Sequence, residues 1–149
     1  MTRRLLIGLS LAFLTTCGAQ AVAPRNSPDR ALSVVVDLNA ADLKKPLKPK
    51  HELAFQLEKR NLKRGLIQSA EASPGGTVEI FRDTPDRQRK LVTTLRCPRQ
   101  PAGSGVTVPP GGFIYRQLFI WPDWRKAPAG TYLARFQGDS RLQVKFRLP

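Results

Sequence analysis

The chain has 149 residues, 25 lysines and arginines against 11 acids, and a formal charge of +14. That length suits one domain behind a leader and excludes two domains of average size. One histidine and two cysteines, with no Cys-x-x-Cys spacing, exclude a zinc or copper ligand set and a disulfide framework.

The N-terminus opens with Met1-Thr2-Arg3-Arg4, followed by a ten-residue apolar run from Leu5 to Leu14 and then Ala19-Gln20-Ala21. A cationic start, a short apolar centre and an A-x-A site predict a secretory signal peptide over residues 1–21. As a helix the run would rise only about 15 Å, half the hydrocarbon thickness, so no spanning anchor is expected. Two processing readings compete. Cleavage after Ala21 would leave a free secreted or periplasmic protein. Leu14-Thr15-Thr16-Cys17-Gly18 resembles a bacterial lipoprotein box, in which Cys17 would carry the lipid and provide the only membrane contact. Removing residues 1–21 deletes two arginines and no acid, so the remaining 128 residues (149 − 21) carry 23 − 11, or +12. Such a surplus attracts polyanions.

Residues 22–30 read as a proline-containing leader, and residues 31–149 as the domain. Within it the apolar period is two. Leu32, Val34, Val36 and Leu38 share one face of a first strand, and Leu53, Phe55 and Leu57 one face of a second. Val78 and Ile80 mark a third, and Leu91, Thr93 and Leu95 a fourth. A long strand runs from Phe113 to Trp121, with Phe113, Tyr115, Phe119 and Trp121 on one side. Tyr132, Ala134 and Phe136 define the sixth. Leu142, Val144, Phe146 and Leu148 alternate with Arg141, Gln143, Lys145 and Arg147 in the last. Segment 59–70 is ambiguous between a helical turn and a strand. Alternation of this kind buries one sheet face and wets the other, so we expect an all-β, immunoglobulin-like antiparallel β-sandwich of about seven strands.

Tyr132 follows a Pro/Gly turn early in the penultimate strand, as in the tyrosine corner of immunoglobulin-like sandwiches. Together with Val108-Pro109-Pro110-Gly111-Gly112, Ala129-Gly130-Thr131-Tyr132 and the strand Val78–Asp83, residues 51–137 resemble the bacterial family of BsuPI-type proteinase inhibitors. That resemblance implies the sandwich fold and an inhibitory activity.

No catalytic residue, cofactor or metal site is expected. His51 reads as a strand-edge histidine and Cys97 as a small apolar filler, with no third group to orient the pair. Three features suit binding. The loop Arg96–Gly105 carries Arg96 and Arg99 on a proline-stiffened segment, which loses little entropy on docking. Trp124, Arg125 and Lys126 follow the long strand, with Trp124 the expected interface anchor and Trp121 the core residue. Arg135, Arg141, Lys145 and Arg147 form a basic stripe on the last hairpin. The expected function is an exported, non-enzymatic binding or accessory module of the cell envelope. A proteinase inhibitor and a basic binder of polyanions are the alternatives. The expected partner is a protein or an anionic envelope polymer, with nucleic acid less favoured because the hairpin's aromatics alternate to the opposite face. The oligomeric state is not encoded in any feature of the sequence.

Overall fold

The computed structural model describes residues 29–42, 44–101 and 103–149, so the predicted signal peptide, Cys17 and most of the leader lie outside the described residues. Ten strands form: β1 (Arg30–Val36), β2 (Asn39–Ala40), β3 (Leu53–Arg60), β4 (Ile67–Ser69), β5 (Gly76–Asp83), β6 (Arg89–Cys97), β7 (Val106–Val108), β8 (Phe113–Ile120), β9 (Gly130–Phe136) and β10 (Gln143–Leu148). They build one four-stranded sheet in the order β2-β1-β3-β8, a second in the order β10-β9-β5-β6, and a small β4-β7 ribbon. All pairings are antiparallel. The fold is a β-sandwich, as the alternation predicts. The seven predicted strands correspond to β1, β3, β5, β6, β8, β9 and β10. The ambiguous stretch contains the end of β3, a turn, and the short strand β4.

The inward faces meet in one core. Leu32, Leu53, Phe55 and Leu57 from the first sheet pack with Val78, Ile80, Tyr132, Ala134 and Phe146 from the second. Phe146 is its hub, with ring centroids 5.1 Å from Phe55, 5.6 Å from Tyr132 and 6.4 Å from Trp121. Edge-to-face and offset contacts of this kind add to the burial of apolar area. The Tyr132 hydroxyl donates to the Pro128 carbonyl four residues upstream, which ties the turn before β9 to the core.

Asn61 closes the far end of β3. It is 2 % exposed. Its amide donates to the carbonyls of Gly65 (2.9 Å) and Val108 (3.0 Å), and its side-chain oxygen accepts from the Lys63 N–H (2.9 Å). A polar side chain can be buried there because its hydrogen-bonding groups find partners.

Three expectations about faces are corrected. Phe113 does not share the face of Tyr115: opposite Lys59 and Arg60 the strand β8 skips Ile114, and the Phe113 ring lies beneath the Arg60 and Arg116 guanidiniums at 4.1 and 4.5 Å. Leu38 does not continue the buried face of β1. Asp37 and Leu38 adopt positive φ values of 50° and 63° and turn the chain into β2, leaving Leu38 exposed. Paired positive-φ residues fit the two-residue hairpin whose twist matches its strands. Leu91 does not share the face of Leu95 either. Val78 pairs with Leu95 and Ile80 with Thr93, but Phe81 pairs with Leu91, so Val92 is an extra residue. The bulge reverses the parity of β6, and Leu91 emerges 48 % exposed.

Candidate functional site

The two sheets leave one side of the sandwich open. There β6 is the terminal strand of one sheet and β8 the terminal strand of the other. Between them lies a groove of about 550 Å³ lined by Val92 to Arg96 of β6, by Ile120 at the end of β8, and by Trp121 to Asp123 and Lys126 to Pro128 beyond it. Five consecutive residues of a strand cannot reach one groove by side chains alone, since these alternate between faces. The groove therefore runs along the edge of β6, where backbone as well as side chains face it. Leu95 and Trp121 are buried at its base, while Val92 is 40 % and Ile120 47 % exposed at its rim. Arg96 is exposed at one end, and among the described residues it makes no ion pair. Lys126 pairs with Asp123 at 2.9 Å, and that carboxylate holds the ammonium above its ordinary pKa.

The groove unites two residues expected from the sequence, Arg96 and Lys126, with two that were not, Val92 and Ile120. Their only trace in the sequence is apolar side chains at positions the period-two pattern would make wet. Which strands end a sheet is a tertiary property, and no local signal carries it.

Trp124 is corrected from interface anchor to core residue. A 3-10 turn over Trp124–Lys126 tucks the indole inward, leaving it 4 % exposed, and its Nε1–H donates to the His51 carbonyl at 3.2 Å. Arg125 lies over the ring at 5.2 Å and donates to the carbonyls of Pro49 and His51. These contacts staple segment 49–51 to the end of the sandwich. Trp121 is buried, as expected.

The loop after β6 is held at its base. The Gln100 N–H donates to the Ser73 carbonyl at 3.3 Å, and the Pro98–Arg99 backbone lies against Gly75. Gly103 to Val106 are exposed. Arg99 is exposed and makes no ion pair among the described residues.

The hairpin stripe is partly neutralised from within. Arg135 donates to Glu79 at 3.0 Å and stacks 4.6 Å from the Phe81 ring. Arg141 lies in the turn before β10 and grips Asp139, which also accepts from Arg30 at 2.7 Å. Only Lys145 and Arg147 of the four lack an acidic partner among the described residues, so the strain expected from four like charges is largely relieved by Glu79 and Asp139.

Hydrogen bonds from the Arg141 side chain and backbone hold the Asp139 carboxyl at a pKa of about 2, below the ordinary 3.8. A depressed carboxyl stabilises the fold above the unfolded value, and that contribution disappears as pH falls through about 2. Asp139→Asn should therefore be less stable than the parent at pH 5, with the difference shrinking between pH 4 and 2. Urea unfolding of both chains across that range measures it.

His51 and Cys97 lie at opposite ends. His51 is half-buried, with Nδ1 accepting from the Lys48 N–H at 3.3 Å and Nε2 3.9 Å from Asp37. Its carbonyl holds Trp124, beside the end of the sandwich where Trp121 meets Tyr132 and Tyr132 pairs with Arg82. Cys97 pairs with Gly76, six residues from Arg82 along β5, or about 20 Å at strand rise. Cys97 is a free thiol packed against the core. Among the described residues no group of three or more histidines, cysteines or acids is placed to hold a metal ion. Comparison with known proteins finds no matching family model, no matching curated protein and no matching solved structure.

Proposed function

We propose that this chain is an exported, non-enzymatic binding or accessory module of the cell envelope, and that the groove along β6 is its working surface. The groove carries the reading. It sets exposed apolar side chains, an open strand edge and an arginine without an ion-pair partner among the described residues side by side, in a volume within the roughly 300–1,000 Å³ common for binding sites. The N-terminal pattern from Arg3 to Ala21 supports export. The order β10-β9-β5-β6 against β1-β3-β8, with the Tyr132 to Pro128 hydrogen bond, supports an immunoglobulin-like version of the sandwich.

A photo-reactive side chain placed at Ile120 in the full chain tests this in cells that export it. We expect a cross-linked adduct from position 120 and none from position 145 on the far hairpin. Adducts at 145 alone, at both positions equally, or at neither would overturn the assignment of the groove. Adducts at 145 alone would favour the polyanion reading through Lys145 and Arg147.

A second reading keeps the resemblance to BsuPI-type proteinase inhibitors. Its support is the loop Pro98–Gly105, clamped at its base by Ser73 and Gly75 with its tip exposed. A pre-ordered exposed loop loses little conformational freedom when a proteinase cleft closes on it.

A further inference from the structure

We infer that the occupant of the β6 groove is an extended peptide segment of another protein, alternating apolar and acidic residues, which adds to β6 as a further strand. The inference rests on the groove being the working surface and specifies what fills it.

The geometry selects an extended chain. Val92 through Arg96 line the groove consecutively, and among the described residues β5 is the only strand hydrogen-bonded to β6. In an antiparallel pair, alternate residues turn their N–H and C=O groups away from the partner strand. On either side of the Val92 bulge those groups of β6 therefore face the open side, and none of the backbone hydrogen bonds made by turns, loops and caps among the described residues reaches them. An incoming strand satisfies them, which is the basis of strand-addition recognition.

The side chains select the composition. Val92 and Ile120 present apolar surface at the rim above Leu95 and Trp121, which fits apolar residues at every second position of the incoming strand. Lys90 and Arg96 are exposed at the two ends of this stretch without ion-pair partners among the described residues, and both suit carboxylates. Cations on an edge strand also repel unwanted strands. Here that repulsion is selective. The exposed pair Leu91 and Val92 offers apolar surface to a partner, while Lys90 and Arg96 favour an acidic chain over a basic one. A second copy of this protein is disfavoured on the same ground, because joining two β6 edges brings Lys90 and Arg96 of each copy together on molecules that each carry 23 − 11, or +12, once residues 1–21 are removed. Single-stranded nucleic acid would need exposed aromatic platforms, but Trp121 and Trp124 are both buried.

The test uses labelled eight-residue probes and the purified chain, read by fluorescence anisotropy. The parent probe alternates valine and glutamate. A second probe alternates valine and lysine. Two further probes are the parent N-methylated at every valine amide or at every glutamate amide. We expect saturable binding of the parent, at least tenfold weaker binding of the lysine probe, and at least tenfold loss for one methylated isomer while the other stays within threefold. Arg96→Glu should weaken the parent probe at least tenfold, whereas Arg147→Glu, an equal change of net charge on the far hairpin, should leave it within twofold. No binding of the parent probe overturns the inference, as do equal behaviour of the two methylated isomers or equal effects of the two charge reversals. A position-120 adduct combined with any of these failures removes strand addition and keeps the groove. Absence of that adduct removes both.

Discussion

Trp124→Ala is expected to lower the stability of the fold by about 3–5 kcal/mol, the range found when a large buried aromatic is truncated. The expectation follows from placement. The indole is 4 % exposed, belongs to the core cluster, and holds the His51 carbonyl through Nε1. Removing it leaves a cavity at the end of the sandwich, leaves that carbonyl without its indole donor, and takes the surface from beneath the Arg125 guanidinium. Trp124→Phe keeps most of the apolar volume and gives up the N–H. Its loss should be smaller, with about 0.5–1.5 kcal/mol assignable to the hydrogen bond. Urea unfolding of the three chains, followed by far-ultraviolet dichroism, measures both. A Trp124→Ala chain as stable as the parent would mean that the indole is no structural pin, and would return it to the candidates for an interface.

The two tryptophans show where the sequence is legible and where it stops. Trp121 follows β8 in step with Tyr115 and Phe119, so counting by two places it in the core. Trp124 lies three residues further on, past Pro122, where a 3-10 turn replaces the strand and parity no longer means anything. The same limit applies inside β6. Its first half reads as alternating from the sequence, but one extra residue at Val92 reverses which side chains face water. β9 and β10 contain no such interruption, and Tyr132, Ala134, Phe136, Phe146 and Leu148 are all buried as alternation requires.

The candidate site was legible only in part, for a different reason. Arg96 and Lys126 stand out as cations near prolines, but they come from segments about 30 residues apart and meet only because β6 and β8 end their respective sheets on the same side. Arg135 and Arg141 fail as a free basic stripe because Glu79 lies opposite Arg135 in register and Asp139 lies in the turn beside Arg141. Strand register decides which charges neutralise each other. A sequence displays charges without saying which ones sit across from each other.

Gly75→Ala should have the second large effect, and it bears directly on the loop after β6. Gly75 has φ of +67°, a left-handed conformation that disfavours a β-carbon by about 1–2 kcal/mol. The added carbon would also sit 2.4 Å from the Arg99 nitrogen and 2.8 Å from its Cα. Both atoms belong to backbone, so no rotamer change relieves the collision, and overpacking of this kind adds about 1–3 kcal/mol. The total expected loss is about 2–5 kcal/mol. The least resisted movement carries Pro98–Gln100 away from Ser73–Gly75, breaking the Gln100 to Ser73 hydrogen bond. Limited trypsin digestion should then cut the variant at Arg96 or Arg99 at least several-fold faster than the parent. Gly105→Ala is the control. Beyond its chain neighbours, its new carbon would come no nearer than the Ser69 carbonyl oxygen at 3.9 Å, so digestion should stay at the parent rate. If the loop inhibits secreted serine proteinases, the parent and Gly105→Ala inhibit them while Gly75→Ala becomes a substrate. A parent chain that inhibits none at micromolar concentration removes the inhibitor reading. Equal digestion of Gly75→Ala and parent would instead show that the loop is not clamped at Gly75.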